Sequence, residues 1–465
     1  MMRTNTHAPK RTVLVVATMA SFLTPFMGSS VNIALPSIGR EFAMDAVLLG
    51  WVATAYLLAA AMFLVPFGRI ADIYGRKKIF ISGITIYTLA SLLSGGAPSA
   101  VVLIVFRVLQ GIGGAMIFGT GVAILTSVFP AGERGKALGI NVAAVYLGLS
   151  LGPFLGGVLT EQLGWRSIFF ANVPLGFIVI ALTLWKLKGE WAEARGERFD
   201  GIGSVLYSLT LVAIMYGFSQ LPRMTGIWLI LVGLVGGGGF FAWEMNRESP
   251  VFDIRLFKGN RIFMFSNLAA LINYSATFAV AFLLSLYLQY VKGYSPQWAG
   301  FIIVVQPVVM TVFSPFAGWL SDRVEPQIVA SIGMTLTAVG LSLFAFITTT
   351  TAVGFIIAAL ILLGIGFALF SSPNTNAVMG SVTRQFYGVA SATVATMRLV
   401  GMMFSMGIAL LIFAVYLGRV QITPEYYPLF LKAMKTAVII FALLCFGGIF
   451  ASMARGKARP YGIKR

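Results

Sequence analysis

Four things are scarce in this chain of 465 residues: cysteine, histidine, acidic side chains and long polar stretches. The single cysteine, Cys445, sits in an apolar segment, which excludes an intrachain disulfide and leaves the redox compartment open. The one histidine, His7, lies in a polar N-terminal flank and reads as a solvated residue. Charged residues make up 10% of the chain and hydrophobic ones 58%, with a mean hydropathy of +0.91. A water-soluble surface takes far more charge than that. No GxxxxGK[ST] loop is present, so ATP hydrolysis is not expected, and Gly236 to Gly239 lack the strand, lysine and helix start of a phosphate loop. The longest polar connections, near 188–202 and 245–262, are too short to fold alone. No covalent chemistry, cofactor or metal site is therefore expected.

Fifteen carboxylates against 33 Lys and Arg give a net charge of +18. In a soluble protein that balance would raise the question of nucleic acid. Here the charges sit in short loops with no basic helix or aromatic-basic platform among them. Anionic lipid headgroups, not nucleic acid, are the expected neighbours.

What is present is a series of apolar runs, each long enough to cross about 30 Å of hydrocarbon as a helix. Fourteen can be delimited: 12–34, 48–68, 79–97, 101–128, 136–159, 167–187, 203–221, 226–244, 263–290, 298–320, 328–347, 352–378, 390–417 and 434–454. The first follows a basic flank, as a signal peptide would, but it continues to Ala34 without a small-residue cleavage site and reads as the first span. An even number of spans places both ends on one side. The loops and tails of that side carry 24 of the 33 basic residues, including the tail ARGKARPYGIKR; the opposite loops carry seven, and Arg107 and Arg398 fall within spans. By the positive-inside rule both termini face the cytoplasm of a multi-pass cell-membrane protein.

The chain also repeats itself. PFGRIAD at 66–72 follows span two and PFAGWLSD at 315–322 follows span ten. RGKALGINVAAVYLGLSLG from Arg134 parallels YGVASATVATMRLVGMMFSMG from Tyr387 in its small residues. The expected organisation is a six-helix bundle over 1–187, two additional helices with linkers over 188–262, and a second bundle with a basic tail over 263–465. Such repeats suggest two bundles that rock about a central site.

Within span five, GLSLGPFLGG places Gly148, Gly152 and Gly156 four apart, so they share a face on which another backbone can approach closely. Pro153 removes one intrahelical bond and can bend the helix. The expectation is a tightly packed helix at a moving interface. In GRIADIYGRK at 68–77, Gly68 is expected to end span two, Asp72 to accept from a neighbouring helix N-terminus, and Gly75 to turn the chain before Arg76, Lys77 and Lys78. That loop would act as a latch on the basic side. Asp322 is its counterpart in the second half, without the basic cluster, so the latch should be asymmetric.

These motifs resemble those of the major facilitator superfamily. The loop motif matches at Gly68, Asp72, Gly75, Arg76 and Lys77; RVLQGIGGA at 107–115 resembles the fourth-helix motif through Arg107, Gln110 and Gly111; GLSLGPFLGG resembles the antiporter motif of drug exporters at Gly148, Gly152, Pro153, Gly156 and Gly157. Fourteen spans, VNIALP at 31–36 and MRLVG at 397–401 narrow the resemblance to the fourteen-helix drug:proton antiporter family. It implies an all-α polytopic fold of two six-helix bundles plus two additional central helices, working as a monomer that exports hydrophobic or amphipathic compounds in exchange for protons. It implies a part in proton coupling for Arg107, and for Arg398 a part in orienting substrate or a coupling water. One departure stands out. Fourteen-helix relatives commonly carry an aspartate in span one, five residues before the Asn of their VNIALP-like motif, where this chain has Met27.

Candidate cavity residues are the polar and aromatic ones in otherwise apolar spans: Asn32, Tyr56, Asn141, Tyr146, Asn273, Tyr274, Tyr287, Gln289, Gln306, Asn374 and Asn376, with Gln110 shared with the fourth-helix motif. A wide apolar site with a few of these suits lipophilic or aromatic substrates. Two alternatives remain open: the same fold carrying a specific metabolite, lipid or ion without proton antiport, and a membrane sensor or scaffold that does not transport.

Overall fold

The computed structural model describes residues 10–247, 250–252, 254–383 and 386–456. His7 and the end of the basic tail, 457–465, lie outside the described residues. Fourteen long apolar helices account for the fourteen runs. They are α1 (Lys10–Glu41), α2 (Ala46–Tyr74), α3 (Arg76–Gly95), α4 (Ala100–Val128), α5 (Glu133–Leu163), α6 (Arg166–Lys186), α7 (Gly201–Gln220) and α8 (Met224–Met245) in the first part of the chain. After these come α9 (Arg261–Val291), α10 (Pro296–Arg323), α11 (Pro326–Phe344), α12 (Val353–Gly380), α13 (Tyr387–Tyr416) and α14 (Pro424–Ala454). The protein is an all-α polytopic membrane protein.

Local chemistry sets several of the starts. Asp45 accepts from Leu48 N at 2.7 Å to cap α2, Asp200 from Gly203 N at 2.9 Å to cap α7, and Asn260 from Phe263 N at 3.0 Å to cap α9. Ser295 caps α10, with Pro296 in the first turn. α9 ends in a π-helical turn at Tyr287–Val291.

The repeat seen in sequence is repeated in packing. Among the first six helices α1 lies against α4, α5 and α6, α4 against α2 and α3, and α3 against α6. Among the last six α9 lies against α12, α13 and α14, α12 against α10 and α11, and α11 against α14. Each half thus closes the same pattern on itself, which leaves α7 and α8, central in the chain, at the periphery. They pair with each other, and α7 touches α2 and α13, one helix from each half. Tyr207 donates to the Ala61 carbonyl at 3.0 Å, while Gly407 receives Met215 and Phe218. Only 17% of the apolar window of α8 is buried, so its face is left to lipid.

The two halves are joined by hydrogen bonds at one end only. Ala46 N donates to the Val420 carbonyl at 3.0 Å, and Gln421 to the Ala43 carbonyl at 3.0 Å. Gln289 reaches the Ile33 carbonyl at 2.9 Å, Tyr290 the Pro36 carbonyl at 3.3 Å, and Gln297 N the Glu161 carboxylate at 3.0 Å. All five lie at the face opposite the termini. Among the described residues no hydrogen bond joins α1–α6 to α9–α14 at the termini face.

Candidate functional site

At the termini face the loop between α2 and α3 is clasped. α2 does not end at Gly68; it runs on through Asp72 to Tyr74, because nothing crowds Gly68 and the helix keeps its hydrogen bonds up to the cap at Gly75. Gly75 has φ +123°, a region that favours glycine, and a Cβ there would lie 2.6 Å from the Glu190 carboxylate. Arg76, 8% exposed, donates to Asp72 at 2.8 Å, to Glu193 at 2.7 and 3.0 Å and to Ser127 at 2.6 Å. Burial pushes Glu193 up, yet the Arg76 hydrogen bond and charge outweigh it and hold this carboxylate below its usual range. Lys77 N donates to Glu190 at 2.8 Å, Arg76 N to the Trp191 carbonyl at 2.8 Å, and Arg69 pairs with Glu197. In this conformation Asp72 therefore serves Arg76, not a neighbouring helix N-terminus, and the connection after α6 covers the loop.

The second half builds its counterpart differently. Asp322 is exposed and has no ion pair among the described residues. Instead Arg455, 2% exposed, donates to Asn374 Oδ1 at 3.0 Å, to Ser266 at 3.3 Å and to the Ser452 carbonyl at 2.8 Å. Asn374 also donates to the Ser266 carbonyl at 3.1 Å, and Asn376 to Ser321 at 2.8 Å. These two asparagines tie helix ends together. Arg455 was not singled out from sequence because it is one of several basic residues in a tail that reads as positive-inside.

The glycine face of α5 lies against α1 within the first half. Cβ atoms would lie 2.6 Å from the Phe22 carbonyl at Gly148, 2.8 Å from the Phe26 carbonyl at Gly152 and 2.8 Å from Ser30 Cα at Gly156. Ser30 donates to the Gly152 carbonyl at 3.0 Å. The boundary between the halves falls on the adjacent face: a Cβ on Gly157 would lie 2.6 Å from the Pro296 carbonyl, and Gly300 of α10 packs on Pro153. Gly111 of α4 packs on Ala59 of α2 in the same way. Met27 is fully buried beside Asn172.

Arg107 is 1% exposed and boxed in. It donates to the Val52 carbonyl at 3.0 Å and to Gln110, stands 4.6 Å from the centre of the Tyr56 ring, and Gln110 donates to Ser91 at 2.6 Å. These neutral partners offset an arginine that costs roughly 2.5–3.5 kcal/mol at mid-membrane on the insertion scale. Gln289 and Tyr287 of α9 are structural at the opposite face, the latter donating to the Thr348 carbonyl at 2.6 Å. Asn32, Asn141 and Asn273 are buried, each with an amide oxygen that has no partner among the described residues. The Gln306 carbonyl backs Gly364.

A cluster at mid-helix brings both halves together. Tyr146 and Leu149 of α5 pack with Tyr274 of α9, Met310 and Phe313 of α10, Phe367 of α12 and Met402 of α13. Tyr274 and Phe367 meet edge to face at 5.3 Å. Arg398 borders this cluster, half-buried, 5.7 Å from the Tyr274 ring centre, with Thr375 Oγ1 accepting from it at 2.7 Å. Tyr146, Tyr274 and Arg398 stand out in the sequence as polar or aromatic residues in apolar spans. Phe367, Met310 and Met402 do not, since in an apolar span they read as ordinary lipid-depth residues.

Two repeats closing on themselves, joined at one end around a central cluster, are the architecture that the comparisons match. The sequence model described as Major Facilitator Superfamily matches residues 17–406 and, in a second match, 266–461. The chain belongs to the major facilitator superfamily. This major facilitator protein is 30% identical to the riboflavin transporter RibZ of Clostridioides difficile over 443 residues, 95% of this chain and 96% of RibZ. It is 32% identical to the multidrug resistance protein Stp of Mycobacterium tuberculosis over 80% of this chain and 70% of Stp. A crystallised peptide transporter, POT, superposes with a TM-score of 0.70 over 96% of each chain at 13% identity, a likeness of fold alone. The protein is thus a secondary transporter of the major facilitator type and not an enzyme.

Proposed function

We propose that this transporter moves one specific small organic molecule by alternating access at the Tyr146–Tyr274–Phe367 cluster, without obligatory proton antiport. The observation that carries the reading is the placing of carboxylates. Every Asp and Glu among the described residues lies in a connection or in the first or last turn of a helix. A proton carrier inside the membrane is a titratable acid facing a cavity, and at the position where relatives hold one this chain buries Met27. Similarity to a riboflavin transporter over nearly the whole of both chains supports a single substrate.

The basic residues support cytoplasmic termini, 24 of the 33 lying on that side. On this orientation the hydrogen-bonded seam lies at the extracellular face and would be the gate on that side. One chain contributes both sides of the cluster, which supports a functional monomer.

A second reading, proton-coupled export of many lipophilic drugs, is supported by the resemblance of Gly148–Gly157 to the antiporter motif and by the similarity to Stp. One experiment separates the two. Purified protein is placed in proteoliposomes loaded with a pH-sensitive dye, and uptake of labelled riboflavin, a peptide and a lipophilic cation is followed with and without a proton gradient. Saturable uptake of one compound, with no substrate-triggered proton flux, supports the first reading. Proton flux on adding several unrelated compounds sinks it in favour of the second.

A further inference from the structure

The two arginines inside the spans differ in what their charge is free to do. Arg107 is sealed by a carbonyl, a glutamine and the Tyr56 ring. Arg398 is half-buried at the edge of the central cluster, and among the described residues its one hydrogen bond is to the neutral Thr375 hydroxyl. A guanidinium offers five N–H donors in a planar fork, and four of these take no hydrogen bond here among the described residues. No carboxylate stands in the interior of any described helix to neutralise it.

We infer that Arg398 is the recognition residue for the substrate's negative charge, and that the transporter takes planar aromatic anions, above all aromatic carboxylates. The inference rests on the transport reading above and names the substrate class of that same site. Arg398 is half-buried, and a charge partly withdrawn from water without a counterion favours a partner that supplies one. A carboxylate presents two oxygens that match the fork. Its ring would lie among Tyr146, Tyr274, Phe367 and Met402, which provide aromatic faces and a polarisable sulfur. A cation in the same place would meet like charge in a low-dielectric site, with no acid to hold it. A neutral aromatic would gain the stacking and leave the guanidinium unpaired.

The test uses three planar probes of one shape, 2-naphthoate, 2-naphthamide and 2-naphthamidine, which are anionic, neutral and cationic at pH 7. Equilibrium binding is measured to the purified protein in phosphatidylcholine nanodiscs, with empty nanodiscs subtracted. The wild type should bind naphthoate at least tenfold more tightly than naphthamide and bind naphthamidine weakest. Arg398→Gln should weaken naphthoate about tenfold or more while moving naphthamide less than threefold, and Arg398→Lys should restore part of the loss. Both variants are first shown to be monodisperse with unchanged unfolding temperature; should Arg398→Gln fail this, Arg398→Lys and the wild-type order of the probes carry the decision. Equal binding of the three probes, a naphthoate preference that survives Arg398→Gln, or no binding of any probe overturns the inference. The transport reading is judged separately in the same nanodiscs, from labelling of Ala46→Cys at the seam, since Ala46 is 1% exposed in this conformation and Cys445 is fully buried. Two-state labelling without charge preference removes only the substrate class; labelling fixed in one state removes the transport reading.

Discussion

Arg76 and Glu193 meet at 2.7 Å across the termini face, joining the start of α3 to the connection that follows α6. The pair ties the α2–α3 loop to a strap that lies over it. Asp72 holds the same guanidinium from the other side at 2.7 Å. Arg76 is sequestered and Glu193 is largely exposed, its side chain at 65%.

Glu193→Gln should loosen the strap without unfolding the protein. Arg76 keeps Asp72 and Ser127, and a pair with one exposed member is worth up to about 1 kcal/mol. The pH dependence follows from the depressed Glu193 carboxylate. Its contribution is full above the ordinary glutamate value of about 4.3 and is lost only as pH falls through the lower folded value. Between pH 6 and 8 the difference in unfolding temperature between wild type and Glu193→Gln should be flat, and it should shrink below about pH 4.5. A difference that changes steeply between pH 6 and 8 would place the relevant titration elsewhere.

Gly152 and Gly139 lie on one helix and should answer oppositely to the same change. A Cβ at Gly152 would sit 2.8 Å from the Phe26 carbonyl and press on Ser29, whereas nothing lies within 4 Å of a Cβ at Gly139. Gly152→Ala should cost roughly 1–3 kcal/mol as α1 is pushed off α5. Gly139→Ala should be neutral or stabilising by up to about 1 kcal/mol through helix propensity. Unfolding in detergent measures both, and equal effects would mean that α5 is not held by its glycine face.

The fold was largely readable because a membrane helix must announce itself by length and hydropathy, and all fourteen runs did. Helix ends were less so. The polar residues Arg69 and Asp72 made span two seem to stop at Gly68, when the helix carries them in its last two turns and pairs Arg69 with Glu197, 128 positions away, and Asp72 with Arg76, four along. The glycines at 148, 152 and 156 announced a close approach, but sequence has no way to say which helix approaches, and the partner is α1 of the same half. At the site, residues unusual for a membrane interior drew notice and those usual for it did not. Arg398 and Tyr274 were visible, while Phe367 and Met402 became meaningful only when three other helices were placed around them.

Gln110 should matter through Arg107. It accepts from the guanidinium and passes its own amide to Ser91 at 2.6 Å, so Gln110→Leu leaves a buried charge and a buried hydroxyl each short of a partner. The expected cost is about 1–3 kcal/mol, more than a surface residue of this type would show. Gln110→Glu should behave differently, supplying a carboxylate to the same guanidinium and retaining or raising the unfolding temperature. If Gln110→Leu is as stable as wild type, Arg107 is held by Val52 and Tyr56 alone.

Gln289 links the halves from α9 to the Ile33 carbonyl of α1 at 2.9 Å and is buried at 4% exposure. Few other direct bonds close that face, so each carries a sizeable share of the bias toward the conformation seen here. Losing one hydrogen bond of about 0.5–1.5 kcal/mol shifts a two-state equilibrium by roughly two- to twelvefold. Gln289→Ala should therefore raise the labelling rate of Ala46→Cys, buried at the closed seam, from the face opposite the termini by a factor in that range. Gln306→Ala, changing a half-buried glutamine that makes no hydrogen bond with its side chain among the described residues, should leave the rate unchanged. A Gln289→Ala variant that labels no faster than wild type would show that the seam is held by apolar packing, such as Gly50 on Leu410 and Gly300 on Pro153, and not by its polar bonds.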